Sequence, residues 1–214
     1  MTECKAVIFD MDGVLLDTES MSDRTFLAAG KEWGLGNLEA VMQECRGMNL
    51  ADTVAAMRRH FGNDFDADAF LRRTSELFHQ LEESEGIGLM PFVQEALAYV
   101  KERYRVALAS STRGATVRRQ LAAAGLLQYF ETLTTGDLVA HSKPHPEIYL
   151  LACRSLGLEP AACVAVEDSP NGVLSAAAAG MPVIMVPDRI APAENIRAAC
   201  YRVAPSLGEL MHIL

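Results

Sequence analysis

Asp10 and Asp12 stand one residue apart, directly after four apolar residues, Ala6 to Phe9, and Gly13 follows them at once. Two carboxylates held this close repel when both are ionised, and a divalent cation relieves that repulsion. Hard oxygen ligands suit Mg2+. Three more sets of polar groups follow later runs of strand-forming residues. Ser110, Ser111 and Thr112 come after Val106 to Ala109, Lys143 after the β-branched run Thr132 to Thr135, and Glu167 and Asp168 after Cys163 to Val166. Each group is costly to desolvate unless it is paired or bound to a metal. Taken singly, each also has an ordinary structural reading. The aspartates are turn formers, Ser110 an N-cap, Lys143 a surface residue, and Glu167 and Asp168 charges at a helix start.

What must position these groups is an alternation of strands and helices. Short continuous apolar runs bounded by turn residues read as buried strands of a parallel sheet. Between them lie helical stripes. Val93, Ala96, Leu97, Val100 and Tyr104 form one, with Pro91 placed to open it. Val117, Leu121 and Ala124 form another, closed by Gly125, and Ile148, Leu151, Ala152 and Ser155 a third, opened by Pro146. Pro170 opens a further helix and Gly180 closes it, Val183 to Val186 is a last clear strand, and Tyr201 to Leu214 adds a short strand and a helix. This alternation predicts an α/β fold with a parallel sheet covered on both faces. All strand ends of such a sheet point to one side, where open α/β sheets place ligands, so the polar groups converge there.

The rhythm breaks between Glu19 and Glu85, where the periodicity is helical throughout. Phe26, Ala29, Gly30 and Trp33 form one face; Leu50, Val54, Met57 and Phe61 a second, with Asn49 as its N-cap; Phe70, Thr74, Leu77, Phe78 and Leu81 a third. Three or four such helices with a private core make a small bundle. Two bodies result, joined near Leu16 to Glu19 and Ser84 to Met90, with a cleft that can open and close over a ligand.

Bulk properties narrow the classes. The 214 residues are 50% apolar and 22% charged, the profile of a globular chain. A net charge of −9 argues against nonspecific nucleic-acid binding. Five widely spaced cysteines without a Cys-x-x-Cys pattern read as free thiols in a reducing cytoplasm. No apolar run approaches the ~20 residues of a membrane span. A small-molecule enzyme, monomeric or a weak homodimer, is the expectation.

Read together, Asp10-Met11-Asp12-Gly13-Val14-Leu15-Leu16-Asp17-Thr18, Ser110, Lys143-Pro144 and Glu167-Asp168-Ser169-Pro170-Asn171-Gly172 resemble the haloacid dehalogenase-like superfamily, in its phosphatase and phosphomutase branch. The pieces come in the family's order and span nearly the whole chain. The resemblance implies a Rossmann-like catalytic core of residues 1–17 and 88–214, with a small all-helical cap of residues 18–87 that selects the substrate. It implies Asp10 as the nucleophile that forms an aspartyl phosphate, and Asp12 as general acid and then base. Mg2+ would be held by the Asp10 carboxylate, the Asp12 main-chain carbonyl and Asp168, with Glu167 assisting directly or through water. Ser110 and Lys143 would hold the phosphoryl oxygens, with main-chain N–H groups near Met11, Ser111 and Thr112 completing the cradle.

The function so implied is Mg2+-dependent hydrolysis of a small phosphomonoester, a sugar or related metabolite phosphate. Sugar phosphomutases of the family carry a histidine shortly after the first motif, where this chain has Glu19-Ser20-Met21-Ser22. Hydrolysis is therefore preferred, with a mutase or a non-catalytic phosphometabolite-binding protein as alternatives. Arg46, in the loop with Gly47, Met48 and Asn49, reads either as a contact to the leaving group or as a solvated helix end. Arg113 has the same two readings toward phosphate. His141 and His145 flank Lys143 without a recognisable metal spacing and are expected to be structural.

Overall fold

Ala-Val-Ile-Phe is a strand that only a sheet interior accommodates, and β1 (Ala6–Phe9) lies at the centre of one, wholly buried. In this computed structural model, which describes residues 3–46, 48 and 50–214, β1 pairs with β2 (Arg105–Ser110) on one side. On the other side it pairs with β4 (Cys163–Glu167). β3 (Thr132–Thr135), β5 (Val183–Met185) and β6 (Arg202–Val203) complete a six-stranded sheet of order β3-β2-β1-β4-β5-β6, parallel at every pair. The order reverses at β1, and the end of β1 is thus the crevice position of a doubly wound fold.

The strands alternate in which helices they meet. Ala6, Ile8, Ala107, Ala109, Cys163, Ala165, Val183 and Met185 share a buried cluster with α7 (Glu147–Leu156) and α8 (Pro170–Ala178). Their neighbours in the strands, among them Val7, Phe9, Leu108 and Val166, point the other way and are also buried. Four alanines on the first face let α7 lie close to the sheet, which matters below. α5 (Val93–Arg103) and α6 (Gly114–Ala123) follow β1 and β2 in the chain, and α9 (Glu194–Ala199) and α10 (Leu210–Ile213) lie in the last stretch.

Residues 18–87 form four helices, α1 (Thr18–Glu32), α2 (Leu38–Cys45), α3 (Leu50–Phe61) and α4 (Ala67–Glu85). Their core is Phe26, Ala29, Leu38, Val41, Met57, Ala67 and Phe70. Phe26 and Trp33 stand edge-on to Phe70 at 5.2 and 5.5 Å, an arrangement favoured by the ring quadrupoles. Asp66 caps α4 by accepting the Ala69 N–H at 2.9 Å. The chain divides into two compact units, residues 1–17 with 88–214, and residues 18–87.

Local expectations need correction at several points. Leu50 is 67% exposed: it sits in the first turn of α3, outside the cluster that takes Val54, Met57 and Phe61. Ser84 and Glu85 are helical because α4 continues to Glu85, whose carboxylate pairs at both oxygens with Arg24. Pro91 forms a turn, and α5 starts only at Val93, after Phe92 in left-handed backbone (φ 65°). Tyr104 lies just past α5 in extended backbone. Ser155 faces solvent, since Tyr149, Cys153 and Leu156 take the buried face of α7. α9 had no signal in the periodicity. Asn49, the expected cap of α3, and Gly47 lie outside the described residues.

The two crossings are held together inside the sheet-bearing unit. Leu16 and Leu89 form an antiparallel bridge. The Asp17 N–H donates to the Gly88 carbonyl at 2.9 Å and the Met90 N–H to the Leu15 carbonyl at 3.0 Å.

Candidate active site

The parallel register sets three strand ends level. Phe9 lies opposite Leu108 on one side and Val166 on the other, so the next residues, Asp10, Ala109 and Glu167, stand side by side. Lys143 reaches all three. Its ammonium donates to Asp10 Oδ1 at 2.7 Å, to Glu167 Oε1 at 2.6 Å and to the Ala109 carbonyl at 3.1 Å. Asp168 joins the group: one carboxylate oxygen each from Asp10, Glu167 and Asp168 lies within 4.8 Å of the others.

Two glycines make room for this crowding. Gly13 has φ 74°, and a Cβ there would lie 2.4 Å from Asp168 Oδ2. Its turn is tight, since the Leu15 and Leu16 N–H groups both donate to the Met11 carbonyl. A Cβ on Gly172 would lie 2.0 Å from the Glu167 carboxylate. Gly172 lies in the first turn of α8, whose N-cap Ser169 accepts the Gly172 N–H at 3.1 Å.

Electrostatics follow from burial. Burial pushes the Asp10 carboxyl up to about 7; Lys143 opposes this, and Glu167 and Asp12 add to it. Burial, then Asp10 and Glu167, push Asp168 up to about 9, again against Lys143. Burial alone disfavours the Lys143 ammonium, but Asp10 and Glu167 outweigh it and hold its pKa above the usual lysine value. Three carboxylates thus share one ammonium. A hard divalent ion fits this donor set: all three offer oxygen, and two of them resist ionising without further positive charge.

The other expected residues fall into three groups. Asp12 stands beside this cluster, and its Oδ2 accepts the Thr112 hydroxyl at 2.9 Å. Ser110 is fully buried, its Oγ accepting the Thr112 N–H at 3.1 Å, while Ser111 is exposed. Arg113 is exposed at the start of α6. Arg46 belongs to the helical unit, where it donates to Asp23 at 2.6 Å beside a 240 Å³ hollow that Ser22, Phe26 and Met42 help to line.

Two features went unread in the sequence. Thr112 contributes its side chain, to Asp12, where only its main chain was considered. Tyr149 is fully buried on α7, and its hydroxyl donates to Glu167 Oε1 at 2.6 Å, with the Lys143 ammonium 5.1 Å from its ring centre. Its signal was available: a tyrosine on the buried face of a helix needs an acceptor for its hydroxyl. His141 and His145, expected to be merely structural, come together with Glu147.

The chain is similar to known proteins in sequence and in fold. The family model for haloacid dehalogenase-like hydrolases matches residues 7–186. The chain is 34% identical to protein CbbY of Rhodobacter capsulatus, over 94% of this chain and 93% of that protein. It is also 34% identical to the phosphorylated carbohydrates phosphatase of Thermotoga maritima, over 83% and 82% of the two chains. The crystal structure of CbbY from Rhodobacter sphaeroides in complex with phosphate superposes with a TM-score of 0.75 at 29% identity, covering 97% of this chain and 96% of that one. With the motif residues meeting at the end of β1, the chain belongs to the haloacid dehalogenase-like hydrolase family, as an enzyme of its phosphatase branch.

Proposed function

We propose that the protein hydrolyses a small phosphorylated metabolite, a sugar or polyol phosphate, through a phosphoryl group carried on Asp10. The observation that carries this is the seating of Asp10 at the end of the central strand, against Lys143 and Asp168. Asp10 attacks phosphorus; the bond to the leaving alkoxide breaks, and Asp12 supplies the alkoxide its proton. Asp12 then takes a proton from water as the water attacks the aspartyl phosphate, releasing inorganic phosphate and regenerating the Asp10 carboxylate. Asp10, Asp168 and the Asp12 main-chain carbonyl would hold Mg2+, which offsets the repulsion between phosphate and carboxylate.

Lys143 stabilises the phosphoryl oxygens and favours the ionised form of Asp10 against the cost of burial. Glu167 acts through Lys143: Lys143 and Tyr149 both donate to its Oε1, and Ser169 Oγ lies 3.4 Å from Oε2. The Thr112 hydroxyl orients Asp12, and Ser110 and Ser111 shape the turn that binds phosphate. The helical unit selects the leaving group, with Arg46 beside its hollow as the polar contact. That the relatives include a phosphatase of phosphorylated carbohydrates supports this substrate class. All five cysteines are free, which suits a reducing cytoplasm, and among the described residues no helix is long and apolar enough to cross a membrane.

The test is hydrolysis of an aryl phosphate and of a panel of sugar and polyol phosphates, with Mg2+ and with chelator, plus acid-quench trapping of the phosphoenzyme. Phosphate release that needs Mg2+, and a trapped phosphoenzyme absent from Asp10→Asn, are expected. Turnover indifferent to chelator or to Asp10→Asn overturns the reading. Isomerised product without free phosphate makes the protein a mutase.

A further inference from the structure

The segment that carries Lys143 has a histidine on each side of it, and both meet the same carboxylate. His141 Nδ1 lies 2.9 Å from Glu147 Oε2, and His145 Nδ1 lies 3.8 Å from that same oxygen. The two imidazole rings face each other at 4.5 Å between centres. One donor atom from each of the three residues lies within 4.8 Å of the others.

The carboxylate is fixed in place before any ligand arrives. Glu147 opens α7, and its two oxygens accept the Ala140 and His141 N–H groups, each at 3.0 Å. These N–H groups and His141 hold the Glu147 carboxyl down at about 2. His145 is fixed too. Its Nδ1 accepts the Glu147 N–H at 3.3 Å, so this nitrogen carries a lone pair rather than a proton. An ion takes that lone pair over from the Glu147 N–H, whose 3.3 Å contact is long, and it sits beside two acceptors, His145 Nδ1 and Glu147 Oε2, that stand 3.8 Å apart.

We propose that His141, His145 and Glu147 form a second divalent-cation site, for a zinc-class ion rather than Mg2+. Two imidazole nitrogens and one carboxylate oxygen are the donor set of zinc and its late transition-metal neighbours, whereas Mg2+ takes oxygen. The dimensions agree. At the usual zinc–nitrogen and zinc–oxygen lengths, neighbouring ligand atoms of a tetrahedral ion stand about 3.3 Å apart. The two Nδ1-to-Oε2 distances, 2.9 and 3.8 Å, bracket that figure. The ion takes the place of the Nδ1 proton that His141 now shares with Glu147; the ring keeps one proton, on Nε2, and only a doubly protonated ring releases one to solvent. Both histidines are exposed, which leaves a fourth position for water. The ion would clip the ends of the segment bearing Lys143 to the start of α7, independently of the Asp10 and Asp168 site and of the reaction proposed above.

Equilibrium dialysis with Zn2+ in millimolar Mg2+, on the whole chain, tests this. One tightly held zinc per chain is expected. His141→Ala and His145→Ala should each weaken it roughly tenfold or more, and Asp168→Asn should leave it unchanged. Co2+ as a spectroscopic probe should show visible absorption of four-coordinate intensity, lost in the double histidine variant. Because both histidines are exposed, the variants fold, and their Mg2+-supported turnover without zinc serves as the folding control. Zinc binding that is equal in wild type and the double variant, or that disappears only in Asp168→Asn, overturns the proposal, as does an absence of zinc uptake.

Discussion

Replacing Tyr149 with phenylalanine removes one oxygen from the interior and nothing else. That oxygen donates at 2.6 Å to Glu167, whose carboxylate is 0% exposed and also receives Lys143. A hydrogen bond to a buried charge contributes about 1.5–3 kcal/mol. For a chain of this length each kcal/mol moves the melting temperature by about 2–4 °C, so the loss is roughly 3–12 °C. Lys143 keeps its bonds to Asp10 and Ala109, so it stays in the site but is less firmly held. The expectation is a fall in kcat of about tenfold, near 1.4 kcal/mol of activation free energy, with KM little changed. The assays are thermal unfolding and steady-state phosphate release, with Tyr149→Leu alongside. If Tyr149 merely fills space, Phe matches wild type and only Leu is impaired. A Phe variant within 1–2 °C of wild type and with unchanged kcat refutes the positioning argument.

Lys143→Met removes the ammonium that Asp10 and Glu167 share and should destabilise the metal-free protein by about 3–5 kcal/mol in urea titration, with turnover abolished. The carboxyls of Asp10 and Asp168 are raised to about 7 and about 9, so their contribution is complete below the unfolded carboxylate range near pH 4 and is lost as pH rises through those values. In chelator the melting temperature should therefore fall between pH 5 and pH 9.5, with Mg2+ reversing the fall; a rise with pH contradicts the assignment. Phe92→Gly relieves left-handed backbone but gives up ring contact near Gly208, so urea unfolding should show a small net gain, below about 1 kcal/mol. Gly172→Ala drives a methyl into the Glu167 carboxylate, and soluble yield and activity should both collapse; an active, stable Ala variant would contradict the packing described.

The strands were legible because a buried parallel strand must be apolar along its length, and Ala6–Phe9, Val106–Ala109 and Cys163–Val166 have no other use. That the groups at their ends would meet followed from parallel direction alone. Tyr149 was missed because helical periodicity marks which residues are buried and is silent on which polar atom a buried hydroxyl finds. Glu147 was missed for a related reason. Its meeting with His141 and His145 is made by a non-repetitive segment, where spacing along the chain carries no period. The start of α5 was misread because a left-handed Phe92 delays it, a strain that composition does not display, whereas α4 runs to Glu85 and stops at Gly86, whose φ of 74° ends the helix.

The helical unit separates β1 from every strand that pairs with it. Ala6 meets Arg105 and Cys163, so roughly a hundred residues must be added after β1 before its first neighbour exists. At ribosomal rates that is about 5–20 s during which four apolar residues have no sheet to join. Residues 18–87 emerge during that interval with their own apolar cluster already complete. The insertion thus has the central strand translated long before either of its partners, and among the last elements to find its place, so nascent chains stalled before β2 are the ones expected to need a chaperone.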